Sequence, residues 1–155
     1  MTIKHETELY HIDSIFFEEA IACKNGDMNE TNTCMYWGCE CGDGWFEPLK
    51  TFMTIVHFIN EIASLYNAKF VCTQLKEKYG ELTVYYDIRY INPEEKTDEF
   101  VINILDNMFD DALTDCEKAC WDVCEVCGNN QNLITTKGYI QRLCKTCAER
   151  NRLCF

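Results

Sequence analysis

Cys124-Glu125-Val126-Cys127-Gly128, followed after a short stretch by Cys144-Lys145-Thr146-Cys147, is the most constrained part of this chain. Two Cys-x-x-Cys pairs in this arrangement are what a structural zinc ion requires: each pair folds around one side of the metal, and four thiolates complete a tetrahedron. The site is closed, so one structural zinc ion is expected to build structure and not to activate water. Gly128 suits the first pair, because a residue free to take positive φ lets backbone N–H groups turn toward the sulfurs. Between the pairs, Leu133-Ile134-Thr135 and Tyr139-Ile140-Gln141 flank a Lys137-Gly138 turn, and Thr146 to Arg152 form a short terminal helix. Knuckle, hairpin and helix in that order predict a treble-clef-like zinc-binding module over residues 124–155, packed on a body of residues 1–123.

Immediately upstream, Val101, Leu105, Met108, Phe109, Ala112, Leu113, Cys116, Cys120 and Val123 recur at helical spacing behind a cap at Thr97 or Asp98. This helix leads the chain into the knuckle, and Cys116, Cys120 and Cys124 form its buried seam. Before it, the period changes to two. Phe70–Leu75 and Leu82–Ile88 read as antiparallel strands reversing near Tyr79-Gly80-Glu81. Earlier still, Phe46, Leu49, Phe52, Met53, Val56, Ile59, Ile62, Ala63 and Tyr66 mark a long amphipathic helix, with Pro48 in its first turn and Gly42-Asp43-Gly44 ahead of it. A shorter helix is read from Ile12, Ile15, Phe16, Ala20 and Ile21, capped by Asp13 or Ser14, and the polar run from Asn25 to Thr33 reads as a mobile loop. The fold class is α+β: long helices packed on a small antiparallel sheet, extended by the metal module.

Hydrophobic content of 47% with 13% aromatics places the chain among folded soluble proteins. No run approaches the roughly 20 apolar residues of a membrane span, and the N-terminal residues show no secretory pattern. Twelve cysteines without a secretory context are expected to be reduced thiols in a cytoplasmic setting. Outside the zinc set stand Cys23, Cys34, Cys39, Cys41, Cys72, Cys116, Cys120 and Cys154, mostly read as small buried hydrophobes. A second metal site from Cys34, Cys39 and Cys41 with Cys23 or a histidine lacks a Cys-x-x-Cys unit, and the reading preferred is a tight turn through Gly38, Gly42 and Gly44.

Net charge is −12 and uneven: residues 124–155 carry five basic and two acidic groups (+3), while residues 1–123 carry nine basic and 24 acidic (−15). Such a body repels phosphate backbones over a Debye length of about 8 Å and attracts a basic protein surface. The acidic faces around Asp106, Asp110, Asp111 and Asp115 are the candidate partner-binding residues. An alternative is nucleic-acid binding by the zinc module, with Arg142, Lys145, Arg150 and Arg152 tracking phosphates. A third reading is a metal-dependent nuclease, from Gln74-Leu75-Lys76 on one strand with Asp87 opposite. His5, His11 and His57 are assigned structural or surface roles. Trp45 and Phe46 are expected to close the end of the long helix, while Tyr36-Trp37 can act as interface anchors.

Three blocks in combination carry a resemblance: Cys41-Gly42-Asp43-Gly44-Trp45-Phe46, the run from Gln74 through Lys76-Glu77-Lys78-Tyr79-Gly80 to Tyr85, and Cys124-Glu125-Val126-Cys127-Gly128. The set resembles a group of small, largely uncharacterised zinc proteins of bacteriophages, prophages and mobile elements, over residues 41–147. That resemblance implies a phage context and the cytoplasm of a bacterial host. By analogy from that context and from the acidic charge, and not from the motifs themselves, the expected role is a non-enzymatic inhibitor of a host protein, of the anti-CRISPR or anti-restriction kind, whose target is a nucleic-acid-guided defence nuclease or its RNA complex.

Overall fold

The computed structural model describes residues 1–28 and 33–151, and the fold is α+β. Helices α1 (Ile3–Ile12) and α2 (Glu18–Lys24) lead through a 3-10 turn at Thr33–Trp37 to a short strand β1 (Cys39–Glu40). Then come α3 (Phe46–Leu65), the hairpin β2 (Ala68–Lys78) and β3 (Glu81–Tyr90), and α4 (Glu99–Trp121). Two short strands, β4 (Leu133–Thr135) and β5 (Arg142–Cys144), and α5 (Lys145–Arg150) complete the described chain. Among the described residues, no helix is long and apolar enough to cross a membrane.

The central hairpin follows from alternation in its two strands, and both residues of its two-residue reversal have positive φ, Tyr79 at 56° and Gly80 at 86°, as a tight right-twisted hairpin requires. Parallel pairing of Cys39 with Leu75 and Glu40 with Lys76 adds β1 to the sheet, in the order β1-β2-β3. Two residues are too few to show a period, so β1 has no sequence signature. Helices α3 and α4 pack on each other and the sheet. Phe109 of α4 is central, its ring 5.4 Å from Phe52 and Phe70 and 5.7 Å from Phe16. Trp45 is fully buried and Phe46 nearly so, closing the start of α3 as expected. Asp98 caps α4 by accepting from the Phe100 and Val101 amides, an arrangement worth about 1 kcal/mol.

The structure divides the helix expected around residues 12–21 in two. Asp13 does not start it: its Oδ1 accepts from the Phe16 amide at 2.7 Å and its Oδ2 from Asn60 Nδ2 at 3.2 Å, so the chain bends there. Buried Asn60 also donates to the Phe70 carbonyl and accepts from the Phe70 amide, tying α3 to β2 through a polar residue that an apolar stripe leaves out. Residues 3–12, given no element by the sequence, form α1, whose Leu9 and Tyr10 are buried in the same core. Ile62, Tyr66 and Met108 were expected on buried faces but are exposed. Of the polar run 25–33, residues 29–32 lie outside the described residues, as do Arg152 and Cys154.

Candidate metal centre

Cys124 lies three residues past the end of α4, Cys127 lies on the knuckle, Cys144 ends β5 and is the N-cap of α5, and Cys147 occupies the first turn of α5. Hairpin pairing of Leu133 with Cys144 and Ile134 with Leu143 brings the second pair beneath the first. The four Sγ atoms lie within 4.8 Å of one another, and Cys127 Sγ is 3.7 Å from Cys144 Sγ. Zinc–sulfur bonds of about 2.3 Å place tetrahedral sulfurs about 3.8 Å apart, so the group has the size of a tetrathiolate cage. A metal ion fits it. Among the described residues this is the one cluster of three or more cysteine, histidine or carboxylate side chains close enough to hold an ion.

Local backbone geometry explains why the cage forms. Gly128, at φ 70°, donates its N–H to the Cys124 carbonyl at 2.8 Å, and the Cys124 amide donates to Asn129 O at 2.8 Å. The amides of Cys144, Cys127 and Val126 point at the Cys124 thiol, yet burial outweighs them and pushes that thiol up. Cys147 is likewise pushed up, chiefly by burial. Burial also opposes ionisation of Cys144, but the Cys147 amide and the surrounding thiols prevail and hold it below the ordinary thiol value. Four ionised sulfurs at this spacing need a cation among them. The surrounding core consists of Leu143 and Ala148 with partly buried Leu133 and Ile134, too little apolar surface to fold a module alone.

The cage is bolted to the body at Glu125. Its carbonyl accepts from the Gly44 amide at 2.7 Å, its carboxylate from the Gly42 amide and Gln141 Nε2, each at 3.1 Å, and its amide donates to Arg142 O at 3.0 Å. Burial, with Glu77 nearby, raises its carboxyl above the usual range despite these donors. Gly42 and Gly44 lie so close that a Cβ on Gly42 would meet Glu125 O at 2.2 Å, and one on Gly44 would meet Cys124 O at 2.0 Å. Gly80 of the β2–β3 turn rests against Gln141 and Arg142 from the other side. Between the glycines, Asp43 accepts from the Thr2 amide and faces His5 Nδ1 at 3.1 Å, while His5 stacks on Phe46. The three sequence blocks quoted above therefore meet in one joint.

Tyr86 Oη lies 2.8 Å from Asp106 Oδ1 and 2.9 Å from Asp110 Oδ1, so both carboxylates of that flank of α4 have an internal partner. Asp111 and Asp115 occupy the other flank and are exposed, Asp115 beside Lys118 at 3.3 Å. Arg142 lies over the Trp121 ring at 4.6 Å and its Nε donates to Trp121 O, fastening the module to the end of α4. Lys145 and Arg150 are exposed. Asp87 does not stand opposite Gln74–Lys76, for it pairs in register with Val71 while Lys76 pairs with Thr83. A bulge between Cys72 and Gln74 adds to that offset. Cys39 and Cys41 are buried and Cys34 is exposed, without forming a second cluster among the described residues; burial pushes the Cys41 thiol up to about 12. Comparison with protein-family models, with curated proteins and with solved structures finds no match.

Proposed function

We propose that the protein is a zinc-stabilised, non-enzymatic binding protein that occupies a basic surface on another macromolecule. In the phage or prophage setting implied by its motifs, that partner is a host nucleic-acid-guided defence nuclease, which the protein inhibits. The observation that carries this reading is the charge of α4. Its 23 residues hold Glu99, Asp106, Asp110, Asp111, Asp115 and Glu117 against the single cation Lys118, on a body whose net charge is −15. A dense one-signed surface steers and orients an oppositely charged partner.

Zinc is the ion that four thiolates in a closed cage select, with iron the competitor for the same donor set. Elemental analysis of purified protein is expected to give one zinc per chain, held by Cys124, Cys127, Cys144 and Cys147. A ratio near two revives the second site at Cys34, Cys39 and Cys41, and a ratio near zero removes the centre altogether.

Charge reversal at Asp111 and Asp115 together is expected to weaken inhibition of a guided nuclease by about tenfold or more at low salt, and less at high salt. Inhibition unchanged by the double reversal removes the acidic face from the mechanism. A filter-binding titration separates this reading from nucleic-acid binding. RNA or DNA affinity that falls with salt replaces it with a role for Lys145, Arg150 and Arg152.

A further inference from the structure

Helices α3 and α4 bury one face each and leave an outer seam. They run antiparallel, since Gly44 just ahead of α3 bonds Glu125 just past the end of α4, and a groove of about 140 Å³ between them is lined by Pro48, Thr51 and Ile55 of α3 and by Ala112, Asp115 and Ala119 of α4. Along α3 from that groove, Ile55, Phe58, Ile62 and Leu65 recur at helical spacing and are 39%, 59%, 41% and 81% exposed. On α4, Ile104 and Met108, 44% and 47% exposed, lie on the same stripe as Asp111 and Asp115. The seam is apolar over one half and acidic over the other. Single exposed apolar residues are ordinary, but six large ones in adjoining rows on two neighbouring helices form a patch of the kind proteins cover with a partner.

Charge identifies what covers it. The two helices together carry eight carboxylates against two lysines. Lys50 is paired with Glu8 at 2.5 Å and Lys118 with Asp115 at 3.3 Å, while His57 lies 3.7 Å from both Asp13 and Glu61. A second copy of the chain would bring a like-charged stripe against Asp111 and Asp115, so self-association is opposed. A groove between two antiparallel helices receives a third helix by ridge-and-groove packing. We infer that the α3–α4 seam is the docking site for an amphipathic helix of the partner, whose apolar stripe lies on Phe58, Ile62 and Met108 and whose basic end lies over Asp111 and Asp115. This rests on the binding-protein reading above and gives it a location.

The test uses the full zinc-loaded chain and a fluorescent synthetic leucine/lysine peptide with helical periodicity. Anisotropy is expected to show saturable binding to a monomer. Phe58→Ser with Met108→Ser is expected to weaken it by about tenfold or more, a typical loss for central apolar anchors. Asp111→Lys with Asp115→Lys is expected to weaken it similarly, with the remaining affinity less sensitive to salt. Glu40→Lys with Glu94→Lys, equal in charge but on exposed sites elsewhere, is the control and leaves binding within about twofold. All these sites are at the surface, and zinc content with circular dichroism confirms that each variant is folded. Equal binding by the wild type and the serine variant, equal losses in the charge control, or a dimer in sedimentation overturns the location. The inhibitor reading stands or falls separately, on the wild-type chain and a nuclease.

Discussion

Removing the metal with a high-affinity chelator unfolds residues 124–151 and leaves the main core of the body folded. In amide hydrogen exchange, protection is expected to vanish across the knuckle, β4, β5 and α5, and to persist in β2, β3 and the middle of α3 and α4. The two cores explain the division. Phe16, Trp45, Phe52, Phe70 and Phe109 belong to a large cluster built without the cage, whereas the module has only Leu143, Ala148 and the cysteines themselves as buried apolar groups. Zinc binding to four thiolates supplies on the order of 10 kcal/mol of apparent folding free energy, which no core of that size replaces. Cys127→Ser produces the same pattern at neutral pH, because three thiolates and a hydroxyl hold a thiophilic ion far more weakly. Near-native protection of the hairpin in the chelated protein would show that packing, and not the ion, holds the module together.

The metal site was the most legible part of the chain because thiolate coordination constrains spacing more tightly than any packing rule. The long helices and the central hairpin were legible from periods of 3.6 and two, since each buries a regular face. What escaped has a common physical origin: it depends on contacts between residues distant in sequence. Strand β1 is defined by its pairing with Leu75 and Lys76. The bend between α1 and α2 is fixed by Asp13 meeting Asn60, 47 residues away. Arg142 resembles a free cation in sequence, and only the fold places Trp121 beneath it. Asp106 and Asp110 look equivalent to Asp111 and Asp115 until the hairpin brings Tyr86 to one side of α4. Even the Gly-Asp-Gly-Trp turn was visible as a motif without its meaning, because its glycines answer to backbone atoms of a knuckle some 80 residues later, as the 83-residue separation of Gly42 and Glu125 shows.

Gly44→Ala is expected to pull that joint apart. The substitution is conformationally mild in itself: Gly44 is not among the positive-φ glycines. Its effect comes from space, because the added methyl would sit 2.0 Å from Cys124 O, 2.5 Å from Gly128 N and 2.6 Å from Glu125 O. These are backbone atoms of a knuckle whose shape the metal fixes, so no side-chain rotation relieves the overlap. Either the turn or the whole cage must move by more than 1 Å relative to the other, on the order of a full bond length, and the bond from the Gly44 amide to Glu125 O breaks. Breaking it takes from the backbone carbonyl of buried Glu125 its Gly44 donor. Overpacking combined with a lost buried hydrogen bond costs roughly 4 kcal/mol, which in a domain of this size lowers Tm by about 10 °C. The cage itself is expected to survive, since no ligand changes, so bound metal stays at the wild-type level while exchange quickens at Gly42, Gly44 and Glu125. A Gly44→Ala protein that loses its metal would mean that the joint helps to build the cage, and one with unchanged Tm would mean that the module and body are not clamped at this turn.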